Sequence, residues 1–260
     1  MSSDRLEVEA LDWDTEFLPR FKDLWRPGEH VSIIAPTGEG KTVFAGGLIE
    51  SCRKYALILD VKGGDTSLEE FGFPRVEKWP GHKSMGEACA KNDEEGRPSR
   101  YVIGNRARTH QDTDKLVATI NQCLYDAYEM GGWTIYADEL LVLTDPRQSF
   151  DLRGTVDKIL VAARDRGISF VGSYQQPSWV TPMAGRQASW VVVSRNRNID
   201  VVNGLADILG RPKAEIRGAL RGLEKHHWIV VGRDASAPLM ITTPSYKKRG
   251  NRNGEEEQGR

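Results

Sequence analysis

Eight consecutive residues, Ala35-Pro36-Thr37-Gly38-Glu39-Gly40-Lys41-Thr42, have the types and spacing of a phosphate-binding loop. Gly38 and Gly40 let the backbone turn tightly and aim N–H groups at phosphate oxygens. A helix starting at Lys41 adds the partial positive charge of its N-terminus. In such a loop Lys41 reaches the β- and γ-phosphates and the Thr42 hydroxyl ligates Mg²⁺. The implied ligand is ATP with Mg²⁺. Ala35 stands where the pattern usually has glycine, and it fits as long as that position does not demand a positive φ.

A second group of chemically suited residues follows an apolar run. Thr134-Ile135-Tyr136-Ala137 ends at Asp138-Glu139. Asp138 suits a contact to Mg²⁺, and Glu139 suits the base that polarises an attacking water. Small-molecule P-loop kinases often lack this second acid, because their nucleophile is the substrate itself. Its presence points to ATP hydrolysis that drives mechanical work. A third polar element, Ser173-Tyr174-Gln175-Gln176-Pro177, ends another apolar run. In a parallel sheet that end faces the nucleotide, so Gln175 is placed to contact the γ-phosphate or the attacking water.

The elements that must position these groups alternate along the chain. Val31–Ile34 reads as a strand entering the loop, and Lys41–Lys54 as a helix leaving it. Ala56–Leu59, Tyr101–Ile103, Thr134–Ala137, Ile168–Gly172, Trp190–Val193 and Trp228–Val231 read as further strands. Leu116, Ile120, Leu124 and Ala127 recur at helical spacing, with Asp112 as the expected cap and Gly131-Gly132 as the stop. Another helix is expected around Val156–Arg164. Nearly continuous apolar strands alternating with helices imply an α/β fold: a mainly parallel sheet with helices on both faces. Glu77–Arg100, rich in Gly, Lys, Glu and Pro, reads as a surface excursion.

Residues 1–27 carry Trp13, Phe17, Phe21 and Trp25 and read as a lead-in packed on the domain of residues 28–243. Residues 244–260 are almost wholly polar and are expected to form a disordered tail. The chain has 260 residues, 39% hydrophobic and 28% charged, with net charge −1. One large domain fits that length, and any nucleic-acid surface must be a local patch. The 3 cysteines lack metal-ligand spacing, and His226-His227 has no nearby ligands, so no structural metal site is expected. No stretch approaches membrane-span length, and no signal peptide is expected from the acidic first residues. The expected location is cytoplasmic, the host cytoplasm if the protein is viral.

The segments together resemble the FtsK/HerA superfamily of P-loop DNA-pumping ATPases. Ala35–Thr42, then Asp60-Val61-Lys62-Gly63 (similar to the family's D-x-K-G), then Asp138-Glu139, then Arg164-Asp165-Arg166-Gly167-Ile168 with Ser173–Pro177 occur in the family's order. Ser173-Tyr174 and Gln176 depart from the last pattern, while Gln175 and Pro177 keep it. The resemblance runs roughly from Val31 to Thr243 and implies a single RecA-like domain. It implies a homo-oligomeric ring, pentamer or hexamer, around double-stranded DNA, with ATP at subunit interfaces. It also implies an arginine finger from the neighbouring subunit, worth about 10³–10⁵ in rate. Arg164 matches that position and Arg166 competes with it; Arg195 and Arg197 are lesser candidates. The bland alternative is that these are helix-end charges.

Within the superfamily a nearly bare motor is most similar to bacteriophage genome-packaging ATPases, which imply a portal or capsid vertex as partner. Conjugative transfer, filamentous-phage assembly, and a non-motor nucleotide switch or kinase stand as alternatives. Two loops could touch DNA phosphates: Asn105–His110, with Arg106 and Arg108, and Asp145–Arg153, with Arg147 and Arg153. Both also read as ordinary solvated loops. Lys247-Lys248-Arg249 in the tail is a third basic group.

Overall fold

Successive side chains along the central strands feed two different hydrophobic cores. Leu57 and Leu59 enter one, and Ala56 and Ile58 enter the other. Ile229 and Val231 are likewise separated from Trp228 and Val230. This period of two, with both sets apolar, is the signature of strands buried on both faces.

The computed structural model describes residues 9–62, 67–68, 71–76, 78–104, 109–148, 150–234 and 237–244. The chain enters through β1 (Glu9–Asp12), a wide helical turn (Trp13–Phe17) and α1 (Leu18–Leu24). β2 (His30–Ile34) leads through a loop into α2 (Lys41–Cys52), and β3 (Tyr55–Leu59) follows. Next come β4 (Arg75–Val76), α3 (His82–Glu94), β5 (Ser99–Ile103) and α4 (His110–Met130). β6 (Thr134–Ala137), α5 (Leu140–Thr144), α6 (Arg153–Ala162) and β7 (Ser169–Tyr174) form the middle. α7 (Pro182–Arg186), β8 (Ala188–Ser194), α8 (Ile199–Leu209), α9 (Lys213–Gly222), β9 (Trp228–Gly232) and β10 (Leu239–Thr243) complete it.

Among the described residues the strands form one 10-stranded sheet in the order β1-β10-β9-β8-β2-β7-β6-β3-β5-β4. From β8 to β4 every pairing is parallel. β9 runs antiparallel to both β8 and β10, and β1 pairs parallel with β10. The expected α/β fold, a mainly parallel sheet with helices on both faces, is the one found. It is a RecA-like P-loop ATPase fold. The chain leaves β2 toward β3 on one side and returns to place β8 on the other. β2 therefore lies at a reversal of strand order, where open α/β sheets bind ligands beyond the carboxyl ends of their strands.

One face is covered by α3, α4, α6, α8 and α9, through Met85, Leu116, Ile159, Val201 and Ile216 among others. The other face is covered by α2 and the N-terminal segment. Trp13, Phe17, Phe21 and Trp25 are buried there beside Phe44 of α2. Trp13 and Phe44 meet edge to face, with ring centroids 5.0 Å apart.

Three local expectations are corrected. The cap of α4 is Thr109, whose hydroxyl accepts from the Asp112 N–H while the Asp112 carboxylate accepts from the Thr109 N–H. This reciprocal box starts the helix one turn before the expected cap. The stretch read as a surface excursion holds α3, which buries only Met85 and Cys89 and so carries a weak apolar period. β7 continues past the expected end at Gly172 through Ser173 and Tyr174, both buried.

Candidate functional site

The loop between β2 and α2 starts as an extension of the sheet. The Ala35 N–H donates to the Tyr174 carbonyl at 3.1 Å, continuing the ladder with β7. Among the described residues the only non-glycine positions of positive φ are Asp151 and His226, so Ala35 meets no backbone strain. Positive φ falls instead on Gly38, at 81°, and Gly40, at 86°, and Gly40 caps α2. These two glycines are where the turn needs them. The Lys41 ammonium donates to the carbonyls of Ala35 at 3.0 Å and Pro36 at 3.2 Å, folding over the loop. Burial pulls its pKa below the ordinary lysine value, and the nearby carboxylates of Glu139, Asp138 and Glu39 act in the opposite direction.

Asp138 and Glu139 stand at the carboxyl end of β6, both buried. The Thr42 hydroxyl donates to Asp138 Oδ1 at 2.8 Å, and the Tyr136 hydroxyl donates to the same oxygen at 2.7 Å. Tyr136 is wholly enclosed, and burial drives its pKa far up, so it stays protonated as a donor. Ser173 of β7 donates to the Asp138 carbonyl, tying β6 to β7 at this level. The pair expected to face Mg²⁺ is thus brought together from residues far apart in the chain. Among the described residues no group of three or more His, Cys, Asp or Glu could hold a metal ion. A cation here would take the hard oxygens of Thr42 and Asp138 and complete its shell from phosphate and water, as Mg²⁺ does.

Glu139 does not point into open solvent. Lys62, in the loop after β3, donates to its Oε2 at 2.8 Å. Asp60, two residues before Lys62, is fully buried and paired with Arg75 at 3.0 Å, which anchors this loop to the sheet.

A cleft of about 1030 Å³ opens on the other side of the loop. Its walls are the loop itself, the end of β7 with Gln175, residues 195–198 after β8, and the end of α9. Gln175 thus lines the cleft beside Pro36 and Thr37. Glu39 is buried and paired with Arg195 at 2.7 Å. Arg195 is thus turned onto its own loop. His226 also reaches Glu39, its ring Nδ1 lying 3.2 Å from the Glu39 carbonyl, and neither partner is legible along the chain because both come from segments remote from the loop.

Arg164 and Arg166 occupy a short turn before β7, at the end of the sheet opposite the loop. Arg166 donates to the carbonyls of Tyr128 and Glu129 and covers the Tyr128 ring at 4.6 Å. Neither arginine lies at the loop of its own chain. Arg147 makes a two-pronged pair with Asp145, at 2.9 Å through both Nε and Nη2. Arg153 opens α6 and lies 3.7 Å from Asp157. Arg106, Arg108 and the tail after residue 244 lie outside the described residues.

The strand–loop–helix of β2 and α2 within a mainly parallel sheet is that of a RecA-like P-loop ATPase fold. Comparison with solved structures places the chain beside particular examples. It is similar to the genome packaging NTPase B204 of Sulfolobus turreted icosahedral virus 2 in complex with sulfate, with TM-score 0.57 and 15% identity, covering 85% of this chain and 98% of that one. The DNA-packaging ATPase B204 of Sulfolobus turreted icosahedral virus gives TM-score 0.54 and 16% identity, covering 85% and 100%. The cytoplasmic domain of the Thermomonospora curvata Type VII secretion ATPase EccC gives TM-score 0.53 and 16% identity, covering 85% of this chain and 26% of that one. At these identities the likeness is one of fold. No protein-family model matches the chain, and no curated protein matches it by sequence.

Proposed function

We propose that this chain is an ATPase and the subunit of a ring motor that moves double-stranded DNA, in the manner of viral genome packaging. The observation that carries the chemistry is the junction of Thr42 with Asp138 at 2.8 Å, with Glu139 beside it. The packaging reading is supported by the fold, shared over nearly the whole length of a viral packaging NTPase.

In this reading the N–H groups of the Gly38–Thr42 segment and the N-terminus of α2 receive the phosphates. Lys41 exchanges the Ala35 and Pro36 carbonyls for phosphate oxygens. Thr42 and Asp138 would hold Mg²⁺, which would supply charge neutralisation at the terminal phosphates. Glu139 accepts the proton of the attacking water, and Gln175 orients that water or the γ-phosphate. Arg164, with Arg166 as its competitor, completes the site of a neighbouring subunit, since both lie away from their own loop. Arg147, in the loop after α5, and Arg153, at the start of α6, grip DNA phosphates. The partners are the duplex, further copies of the chain in a pentamer or hexamer, and a portal or capsid vertex.

The test is ATPase rate with and without DNA, read alongside molecular mass in solution. Duplex DNA is expected to stimulate turnover of a ring-sized assembly in a salt-dependent manner. Stimulation by single strands alone points to conjugative or extrusion-type work. Full activity of a dilute monomer, or indifference to any DNA, overturns the motor.

A further inference from the structure

A buried carboxylate is an odd choice for a loop that receives a polyanion. Glu39 is 4% exposed and sits directly before the Gly40 cap of α2. Left without a counter-charge it would repel phosphate through a medium that screens poorly. The structure supplies that counter-charge. Arg195 Nε donates to Glu39 Oε1 at 2.7 Å from the segment after β8. The His226 N–H approaches Glu39 Oε2 at 3.4 Å, and its ring Nδ1 donates to the Glu39 carbonyl at 3.2 Å. His226 holds φ 66°, a left-handed conformation that a histidine keeps only where its surroundings enforce it. Side chain and backbone of Glu39 are therefore gripped at once, from the segment after β8 and the turn before β9. With Glu39 neutralised, Arg197 and Arg221 leave the cleft beside the loop cationic.

We infer that Arg195 is a positioning residue for nucleotide binding, which acts by neutralising Glu39 and, together with His226, by bracing the phosphate loop. The inference rests on the ATP reading above and extends it to a residue outside the loop. Arg195 acts through Glu39, and its effect falls on affinity rather than on the chemical step.

Binding of a fluorescent ATP analogue with Mg²⁺ tests it, with steady-state ATPase in parallel. Wild type binds and Lys41→Ala does not; failure of that pair removes the ATP reading itself. Given that pair, Arg195→Ala is expected to raise Kd and KM about 10- to 100-fold, with kcat at saturation within about threefold. Arg195→Lys keeps most of the affinity. In a Glu39→Gln background, Arg195→Ala is expected to change Kd less than about threefold, because the charge it served is gone. An equally large loss in that background means that Arg195 contacts phosphate directly, and overturns the inference. So does unchanged affinity in Arg195→Ala. Arg195→Met, which keeps the aliphatic stem, replaces the alanine variant if the latter melts early.

Discussion

Lys62 and Glu139 meet at 2.8 Å, joining the loop after β3 to the end of β6 across 77 positions. The carboxylate side chain is 6% exposed and the lysine side chain 54%. The acid proposed to activate water is thus enclosed, with its counter-charge reaching it from a solvated lysine. Leaving such a carboxylate buried without its partner is costly, so this contact fixes the side chain in place.

Glu139→Gln is nearly isosteric and can still accept from Lys62, but it cannot take a proton from water. ATP affinity is expected to stay within about threefold of wild type while kcat falls about 10²- to 10⁴-fold. Single-turnover ATPase with a parallel binding titration checks this. Turnover at the normal rate removes Glu139 from the chemistry.

His30 gives the fold a pH dependence of known sign. It is buried at the start of β2, donating through Nε2 to the Leu160 carbonyl and accepting at Nδ1 from the Phe170 N–H, both at 3.0 Å. That pattern needs the neutral ring. Burial pulls its pKa below the ordinary imidazole value, the Leu160 hydrogen bond opposes this, and Arg164 adds to the lowering. Below a pH of about 6.5 the unfolded chain therefore takes up a proton that the folded chain refuses, and stability falls as pH falls. The urea midpoint is expected to drop between pH 7.5 and 5.5, and His30→Gln to show a smaller drop. Equal slopes for the two proteins exclude His30 as the source.

The N-terminal aromatics are integral to one of the two cores. Trp13 is 4% exposed and packs on Phe17 and Phe44 at centroid distances of 5.1 and 5.0 Å. Trp13→Ala is expected to cost about 3–5 kcal/mol, as for other large aromatic truncations in cores. A shift in the denaturant midpoint, with the slope unchanged, measures it. A loss below about 1 kcal/mol shows that the segment only rests on the domain.

Much of this molecule could be read along the chain. A phosphate loop is contiguous, because successive N–H groups of one turn do the binding. Gly38, Gly40, Lys41 and Thr42 were therefore legible, and so was Asp138-Glu139 at the end of an apolar strand. Strands buried on both faces announce themselves as apolar runs, which located β2, β3, β5, β6, β7, β8 and β9. α3 was hidden because its exposed face dominates its composition, and the cap of α4 was misread by one turn. The antiparallel course of β9 was not encoded locally, since strand direction is set by the path of the connection and not by the residues of the strand.

Tertiary structure alone decided who meets whom at the site. Arg195 reaches Glu39 across 156 positions, His226 reaches it across 187, and Thr42 meets Asp138 across 96. No local pattern records such pairings. They exist because the order of β8, β2, β7 and β6 brings the carboxyl ends of the strands to one edge, where each loop delivers its charged side chain. The sequence by itself determined the strand, the glycine-bearing loop and the helix that follows it. The sheet order decided which charges balance it, because electrostatic partners are chosen by distance in space.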